Sequence, residues 1–329
     1  MSLRMRLSWI FCGLALSCSA QSIQIGGPIT GLVFDAPTAS LRQVLGMPGA
    51  ARLGPPAISD VNWATVAPNG RIALVMRQGE TRLVSRDDLT QDQAGIPVES
   101  VVDEPQLSAW AADSSSVVLY SPSSRSIQWL RLTTLTALAE PPIPLTGVDG
   151  VVSALVADSS SRLAVIAVAG AGVYRVSAAD GTTQLLPSTD VSAIALEPGG
   201  ASTLLVADRT NAQVLQILNP GSEHPEVSTL LTDAERLADV SALGFTSDHK
   251  LLYLASRTTQ LLYQFDRSTA LLSDGIPLDA PVTQFLPLGR ASLLLLGTRD
   301  TVDAPLYLLD DRSGPNIFFV PAGEGAIAQ

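Results

Sequence analysis

Several residue types are scarce in this chain of 329 residues, and each scarcity excludes a class of site. There are two histidines, His224 and His249, and they stand in separate turn-like segments. Zinc and haem centres built on several histidines are therefore excluded, and we expect no metal and no cofactor. The two cysteines, Cys12 and Cys18, fall within the first twenty residues, so no disulfide is expected in an exported product.

Positive charge is also scarce. Lys and Arg number 20 against 31 Asp and Glu, which gives a net charge of −11. Nucleic-acid binding depends on neutralising phosphates with basic side chains, so a nucleic-acid partner is not expected. Charged residues make up 16% of the chain and show no helical spacing, which favours a β protein. No segment after residue 20 is long and apolar enough to predict a transmembrane span.

The first twenty residues have the pattern of an export signal. Arg4 and Arg6 precede an apolar run over residues 7–16, and small residues follow at 17–20. Cleavage after Ala20 would leave residues 21–329 as a single domain. Alternatively, Cys18 lies in a distorted lipobox and would carry a lipid anchor. Either route predicts an exported protein in the periplasm or at the surface of a bacterial cell.

The rest of the sequence is one repeated unit. Short alternating segments such as DVSAIALEPGG and DVSALGFTSDHK recur, each beginning with an aspartate. Successive aspartates are 43, 46, 41, 49 and 40 residues apart. An internal period of about 40 to 50 residues is typical of propeller repeats. The aspartates are Asp60, Asp103, Asp149, Asp190, Asp239 and Asp279.

Each repeat predicts four strands. An apolar first strand is followed by a turn rich in Gly, Ser, Asn or Asp and then by a second apolar strand, such as STLLVA or LLYLAS. A third strand and a more polar fourth strand complete the unit. This pattern predicts the four-stranded antiparallel blade of a β-propeller. Pro55-Pro56 and the segment Pro141-Pro142-Ile143-Pro144 are predicted to end strands between blades.

The chain ends predict how many blades there are. Residues 22–25, 31–35 and 41–45 resemble strands two, three and four of a blade that lacks its first strand. Residues 325–328 (GAIA) resemble the first strand at 192–195 (SAIA). We therefore predict seven blades, with the C-terminal strand pairing with the N-terminal blade and closing the ring. The alternative is a six-bladed ring with a loose N-terminal hairpin.

Two segments resemble known propeller repeats. Residues 204–214 (LLVADRTNAQV) are similar to the NHL repeat, and residues 251–266 (LLYLASRTTQLLYQFD) are similar to the YVTN-type repeat. The Trp-Asp ending of WD repeats is missing from every blade, although the fold resembles theirs. This resemblance to bacterial YVTN/NHL-type propellers implies a ligand or partner surface around the ring. It implies no single chemistry, because the fold hosts binders and unrelated enzymes alike.

One polar pattern recurs by position. An arginine stands between the predicted second and third strands of five blades, and an aspartate precedes each first strand. In an antiparallel blade these two connections emerge on the same face, so a mixed collar is expected there. The arginines either pair with the aspartates and stiffen the ring, or bind an anionic group of a partner. They are Arg77, Arg125, Arg209, Arg257 and Arg299.

These observations predict an exported, non-catalytic scaffold that binds a protein or an envelope ligand. Similar propellers include lactonases and other hydrolases, so the alternative is an enzyme with its site at the central channel. Such a site needs at least three Asp, Glu, Asn or His side chains converging within about 5 Å. The predicted first strands contain mainly Ala, Ser, Thr, Val and Leu, and no G-x-S-x-G motif is present. Binding is therefore favoured, and no catalytic residue is predicted.

Overall fold

The chain folds almost entirely into β-strands. The computed structural model describes residues 28–89, 95–133, 136–187, 190–297 and 299–322. In this part of the chain there are twenty-nine strands, together with two short 3-10 helices, Ala36–Thr38 and Arg86–Asp88. The strands form seven antiparallel sheets. The predicted seven-bladed β-propeller is confirmed.

The blades follow one another along the chain, and their strands have the following bounds. The first three blades contain β1 Ile29–Asp35, β2 Ser40–Leu45 and β3 Arg52–Ile58; β4 Trp63–Val66, β5 Ile72–Arg77, β6 Glu80–Ser85 and β7 Ile96–Pro97; and β8 Leu107–Trp110, β9 Ser116–Ser121, β10 Ser126–Leu132, β11 Ala137–Ala139 and β12 Ile143–Pro144. The fourth and fifth contain β13 Val152–Asp158, β14 Leu163–Val168, β15 Gly172–Ser177 and β16 Gly181–Leu186; and β17 Val191–Leu196, β18 Thr203–Asp208, β19 Gln213–Leu218 and β20 Glu226–Thr232. The last two contain β21 Val240–Phe245, β22 Leu251–Ser256, β23 Leu261–Asp266, β24 Leu271–Leu272 and β25 Ile276–Pro277; and β26 Phe285–Pro287, β27 Leu293–Leu296, β28 Leu306–Asp310 and β29 Asn316–Val320.

The second strands are the most deeply buried elements. All six residues of β14 and all six of β18 are buried. Each of these strands lies between two neighbouring strands of its own sheet and beneath the blades on either side, so both of its faces are covered. This is why the sequence is continuously apolar there, as in LAVIAV, whereas strands with one solvated face alternate.

The first blade packs on both of its neighbours. Consecutive side chains of a strand point to opposite faces of the sheet, so one face meets the second blade and the other meets the seventh. The six-bladed alternative with a loose hairpin is therefore wrong. The contacts pair Leu32 and Leu41 with Val75 and Val84 of the second blade, and Val33 and Val44 with Leu295 and Leu308 of the seventh.

The strand positions within the first blade differ from the prediction. Asp35, at the end of β1, contacts Arg299, which follows the end of β27, the second strand of the seventh blade. Strand β1 therefore occupies the second-strand position of its blade. Strands β2 and β3 occupy the third and fourth positions. The prediction was wrong by one strand: residues 31–35 lie in the second strand, not the third, and residues 41–45 in the third, not the fourth.

The prediction missed strand β3 because this strand contains Pro55 and Pro56, which the sequence analysis placed in a connection between blades. The structure makes β3 the outermost strand of its sheet, and an edge strand tolerates proline because one side of its backbone needs no partner. Residues 22–25 and the predicted closing strand at 325–328 lie outside the described residues, so closure by a C-terminal strand stays a prediction.

The antiparallel order gives the ring two distinct faces. First strands begin and second strands end on one face, which we call the arginine face because Arg77, Arg209, Arg257 and Arg299 lie there. The turns between first and second strands lie on the other, which we call the opposite face. No helix in the described part of the chain is long and apolar enough to cross a membrane. The predicted signal at residues 1–20, with Cys18, is outside the described residues.

Candidate functional site

The arginine face carries a ladder of ion pairs at the fifth and sixth blades. The backbone N–H of Arg209 donates to the carbonyl of Asp190 at 2.9 Å, and that of Arg257 donates to the carbonyl of Asp239 at 2.9 Å. These bonds extend the pairing of first and second strands by one residue. Aspartate and arginine therefore stand side by side in each blade, which is the physical basis of the repeated sequence pattern.

Side chains then link these two blades. Arg209 bridges Asp190, with Nη1 and Oδ2 3.3 Å apart, and Asp239 of the next blade, with Nε and Oδ1 3.0 Å apart. Arg257 contacts the second oxygen of Asp239 at 3.5 Å. The arginine side chains are 40% and 52% exposed, so they remain accessible to a partner while their positions are restrained.

The other predicted collar residues do not follow this arrangement. Arg77 contacts Asp60 at 3.7 Å, whereas Arg125 donates to the carbonyl of Val148, in the connection leading to the fourth blade. Arg299 is buried and bound elsewhere. In the described part of the chain, three of the predicted aspartates form no ion pair, and these are Asp103, Asp149 and Asp279.

The fourth blade replaces the charged pair by apolar residues. At the ladder position filled by Arg209 and Asp190 in the fifth blade, the N–H of Ala169 donates to the carbonyl of Val151 at 2.9 Å. Asp149 lies two residues before this position, so its alignment with Asp190 and Asp239 was wrong. Val151 is 69% exposed, the largest exposed fraction among the exposed large apolar side chains of the described chain. In the fourth blade the ladder position thus carries an exposed apolar side chain instead of an ion pair.

The buried cluster around Asp35 joins the first and seventh blades. Both oxygens of Asp35 accept hydrogen bonds from Nη2 of Arg299 at 2.6 Å, and Oδ2 also accepts from Arg42 at 3.0 Å and from Thr38 at 2.6 Å. The side chains of Asp35 and Arg299 are each 1% exposed. Burial acts to raise the pKa of the Asp35 carboxyl, but the hydrogen bonds from Arg299, Thr38 and Arg42 outweigh it and hold the pKa below its ordinary value.

The innermost strands share an irregularity near the arginine face. The register between first and second strands shifts by one residue at Ser153, Ser192 and Ser241 in three successive blades. Such β-bulges redirect a side chain locally. The Ser241 hydroxyl donates to the carbonyl of Val282 at 2.5 Å, whereas the Ser192 hydroxyl is buried without a hydrogen-bond partner in the described structure.

The residues that sequence analysis considered for metal binding are dispersed. His224 is exposed in the connection between β19 and β20, and His249 lies in the turn between β21 and β22, with its ring centroid 6.2 Å from that of Phe245. Among the described residues, no group of three or more His, Cys, Asp or Glu is placed to hold a metal ion.

Polar contacts also join neighbouring blades on the opposite face. Nη1 of Arg267 lies 2.8 Å from Oε1 of Glu197, and the Ser159 hydroxyl donates to Asp113 at 3.0 Å. Burial acts to raise the pKa of Glu197, but hydrogen bonds from Ser202 and others outweigh it and lower the pKa below its usual value. Both faces of the ring are therefore cross-linked between blades, which favours a rigid disc.

The ladder makes a small stability prediction. Replacing Asp239 by Asn removes the carboxylate shared by Arg209 and Arg257, and we expect the free energy of unfolding to fall by about 1 kcal/mol or less, because the arginines are solvent-exposed. Urea unfolding measures the change. Asp149→Asn is the control, because Asp149 forms no ion pair in the described structure, and it is expected to leave stability unchanged. Equal losses for the two variants would contradict a stabilising role for the ladder.

The solved structures similar to this chain include a β-propeller domain. The β-propeller domain of Cps50 (Swd1) from Myceliophteria thermophila is 11% identical with a TM-score of 0.56, covering 89% of this chain and 98% of that one. A chain of the Mitotic Checkpoint Complex is 13% identical with a TM-score of 0.57, covering 98% and 90%. A putative 6-phosphogluconolactonase from Bacteroides uniformis is 14% identical with a TM-score of 0.50, covering 73% and 76%. At these identities the likeness shows the fold alone. No protein-family model and no curated protein matches the sequence.

Proposed function

We propose that the chain is an exported, non-catalytic scaffold that binds a protein partner across its arginine face. The observation that carries the proposal is the contrast on this face between the exposed, apolar Val151 and the exposed charges of Arg209 and Arg257. An exposed apolar residue flanked by fixed charges is the composition of a specific interface, in which apolar contact supplies affinity and charge supplies orientation. Rigid blades hold the backbone of these groups in place, which lowers the conformational-entropy cost of binding.

The similar structures are consistent with this proposal. The matching chain of the Mitotic Checkpoint Complex belongs to an assembly of proteins. The NHL- and YVTN-like segments, residues 204–214 and 251–266, each span the hairpin between a second and a third strand, which supports assigning the repeats to that type. Residues 1–20 and the acidic composition support a location in the periplasm or at the surface of a bacterial cell.

Affinity capture from envelope fractions tests the proposed face. We expect Val151→Glu and Arg257→Glu to abolish recovery of the partner that the unmodified protein captures. Lys250→Glu is the matched control, since Lys250 is exposed on the opposite face and lies 3.5 Å from Asp248, as Arg257 lies 3.5 Å from Asp239. Recovery of the same proteins by all variants would refute the arginine face as the binding surface.

The exported state has its own test. Intact-mass measurement of the mature protein is expected to give a chain that begins at Gln21, or a diacylglycerol-modified chain that begins at Cys18. A mass that retains Met1 would contradict export through this segment. The measurement uses the same envelope fractions as the capture experiment and decides between release and lipid anchoring.

An enzyme with a site at the channel is the second candidate. The similarity to a putative lactonase and the unpartnered hydroxyl of Ser192 at a β-bulge favour it, because bulges are frequent next to active sites. Assays with sugar-acid lactones and simple esters test it. Turnover that is lost in Ser192→Ala and retained in Arg257→Glu would support the enzyme and count against the scaffold.

A further inference from the structure

A cleft of about 350 Å³ opens between the sixth and seventh blades. It lies next to an interruption in the fourth strand of the sixth blade: β24 and β25 are separated at residues 273–275, where Gly275 has a φ of +92° and lies against Tyr263. The residues that line it include four with apolar side chains, namely Leu278, Val282, Leu296 and Ile317.

The lining of this cleft contains polar as well as apolar groups. Asp279 brings a carboxylate and Tyr307 a hydroxyl, and Asn316 brings an amide, of which one N–H donates to the carbonyl of Gly314 at 2.9 Å. Pro277 and Pro315 also line the cleft, and a proline has a backbone carbonyl but no N–H. Asp279 is the one charged side chain among the described residues that line the cleft, so a cationic ligand fits better than an anionic one.

The Asp279 carboxylate has no counter-ion in the described structure. Arg299, the arginine predicted for this blade, donates to Asp35 and to the carbonyls of Val302 and Ala304. Asp60, Asp190 and Asp239 are each paired with an arginine of their own blade. Because Arg299 is bound to Asp35, the carboxylate of Asp279 remains beside the cleft without a counter-ion in the described structure.

We propose that this cleft binds a small organic cation, a primary ammonium group attached to an apolar body. The ammonium donates to Asp279 and to the carbonyl oxygens nearby, and the apolar body lies against Leu296 and Val282. The volume is within the range of small-molecule sites, at its lower end. The residues that line the cleft do not include Val151 or Arg257, although the N–H of Leu278 donates to the carbonyl of Gln260, in the same turn as Arg257, at 2.9 Å.

The experiment is a ligand-observed NMR titration of the whole protein with 2-phenylethylamine. We expect saturable binding with a dissociation constant on the order of 1 mM, the range for a ligand of about ten heavy atoms. Neutral 2-phenylethanol and anionic 3-phenylpropionate have similar apolar bodies and should bind about two- to fivefold more weakly, since they lack the ion pair.

Two variants locate the site. Asp279→Asn should weaken the amine about two- to fivefold and leave the alcohol unchanged, because it removes the charge and keeps the shape. Ala280→Phe places a large side chain in the cleft and should weaken amine and alcohol alike. Asp149→Asn is the control, because Asp149 is an exposed aspartate without an ion pair in the described structure, and it should change neither.

Three outcomes would overturn the proposal. They are the absence of saturable amine binding by the unmodified protein, equal weakening by Asp149→Asn and Asp279→Asn, and full amine affinity in Ala280→Phe. Asp279 is exposed, so its variant is expected to fold, and its thermal midpoint relative to the unmodified protein checks this. Failure here leaves the capture experiment on Val151 and Arg257 unaffected.

Discussion

Replacing Asp35 by Asn is expected to lower the free energy of unfolding by about 3 to 5 kcal/mol, the loss typical when one partner of a buried ion pair is removed. The substitution keeps the shape of the side chain but leaves Arg299 and Arg42 buried without a counter-charge. The cluster joins the first and seventh blades, so the loss falls on the contact between the two ends of the chain. Urea unfolding at pH 7 measures it, with Asp190→Asn on the exposed ladder as the control.

A double-mutant cycle separates the pair from its surroundings. Arg299→Gln alone leaves Asp35 with Arg42 and Thr38, and the Asp35→Asn/Arg299→Gln variant removes both charges. We expect the double variant to be more stable than the sum of the single losses predicts, by about 2 kcal/mol, because the uncompensated charge of Arg299 is gone while that of Arg42 remains. Additive losses would show that Asp35 and Arg299 do not stabilise each other.

The same pair has a defined pH dependence. The folded-state pKa of Asp35 is lowered, so its contribution is present above the unfolded-state pKa of about 3.9 and is lost as the pH falls through the folded-state pKa. The difference in unfolding free energy between the unmodified protein and Asp35→Asn should therefore shrink as the pH falls below about 4. A difference that stays constant from pH 7 to pH 2 would contradict the assignment.

The sequence predicted the seven blades because each blade repeats its pattern within about 45 residues, where apolar alternation and turn residues are local signals. The pairing of Asp35 with Arg299 has no such signal. The two residues are 264 positions apart, and Asp35 stands outside the repeated aspartate pattern. Sequence analysis placed Arg299 in the collar, but the buried partner that binds it depends on how the two ends of the chain meet.

Only part of the arginine face could be predicted from the sequence, and the reason is related. The ladder is regular in the fifth and sixth blades because aspartate and arginine extend the strand pairing directly, as Asp190 and Arg209 do. In the other blades the connections differ in length and conformation. Arg125, for example, has a φ of +47° and reaches the backbone of Val148 instead of an aspartate. Loop geometry of this kind is decided by contacts between blades, which a single repeat does not contain.

On the opposite face, glycines of three blades meet where the ring closes. Gly31 of the first blade, Gly70 of the second and Gly289 of the seventh lie together, and the N–H of Gly289 donates to the carbonyl of Pro68 at 3.0 Å. A Cβ added to Gly289 would lie 2.4 Å from the carbonyl oxygen of Thr30, and one added to Gly70 would lie 2.8 Å from Gly289. These contacts are with backbone atoms, which have little freedom to move aside.

Gly289→Ala is therefore expected to destabilise the protein by about 2 to 5 kcal/mol. Gly289 has a φ of +73°, where an alanine costs about 1 to 2 kcal/mol of backbone strain, and the steric overlap adds about 1 to 3 kcal/mol. Gly170 is a matched control, because its φ is +72° and a Cβ there would meet no atom within 4 Å. Gly170→Ala should show the backbone strain alone. Urea unfolding measures both losses, and equal losses would mean that the three blades are not in close contact at this point. A larger loss at Gly289 would show that closure of the ring depends on close backbone packing, which leaves no room for a side chain larger than a hydrogen atom.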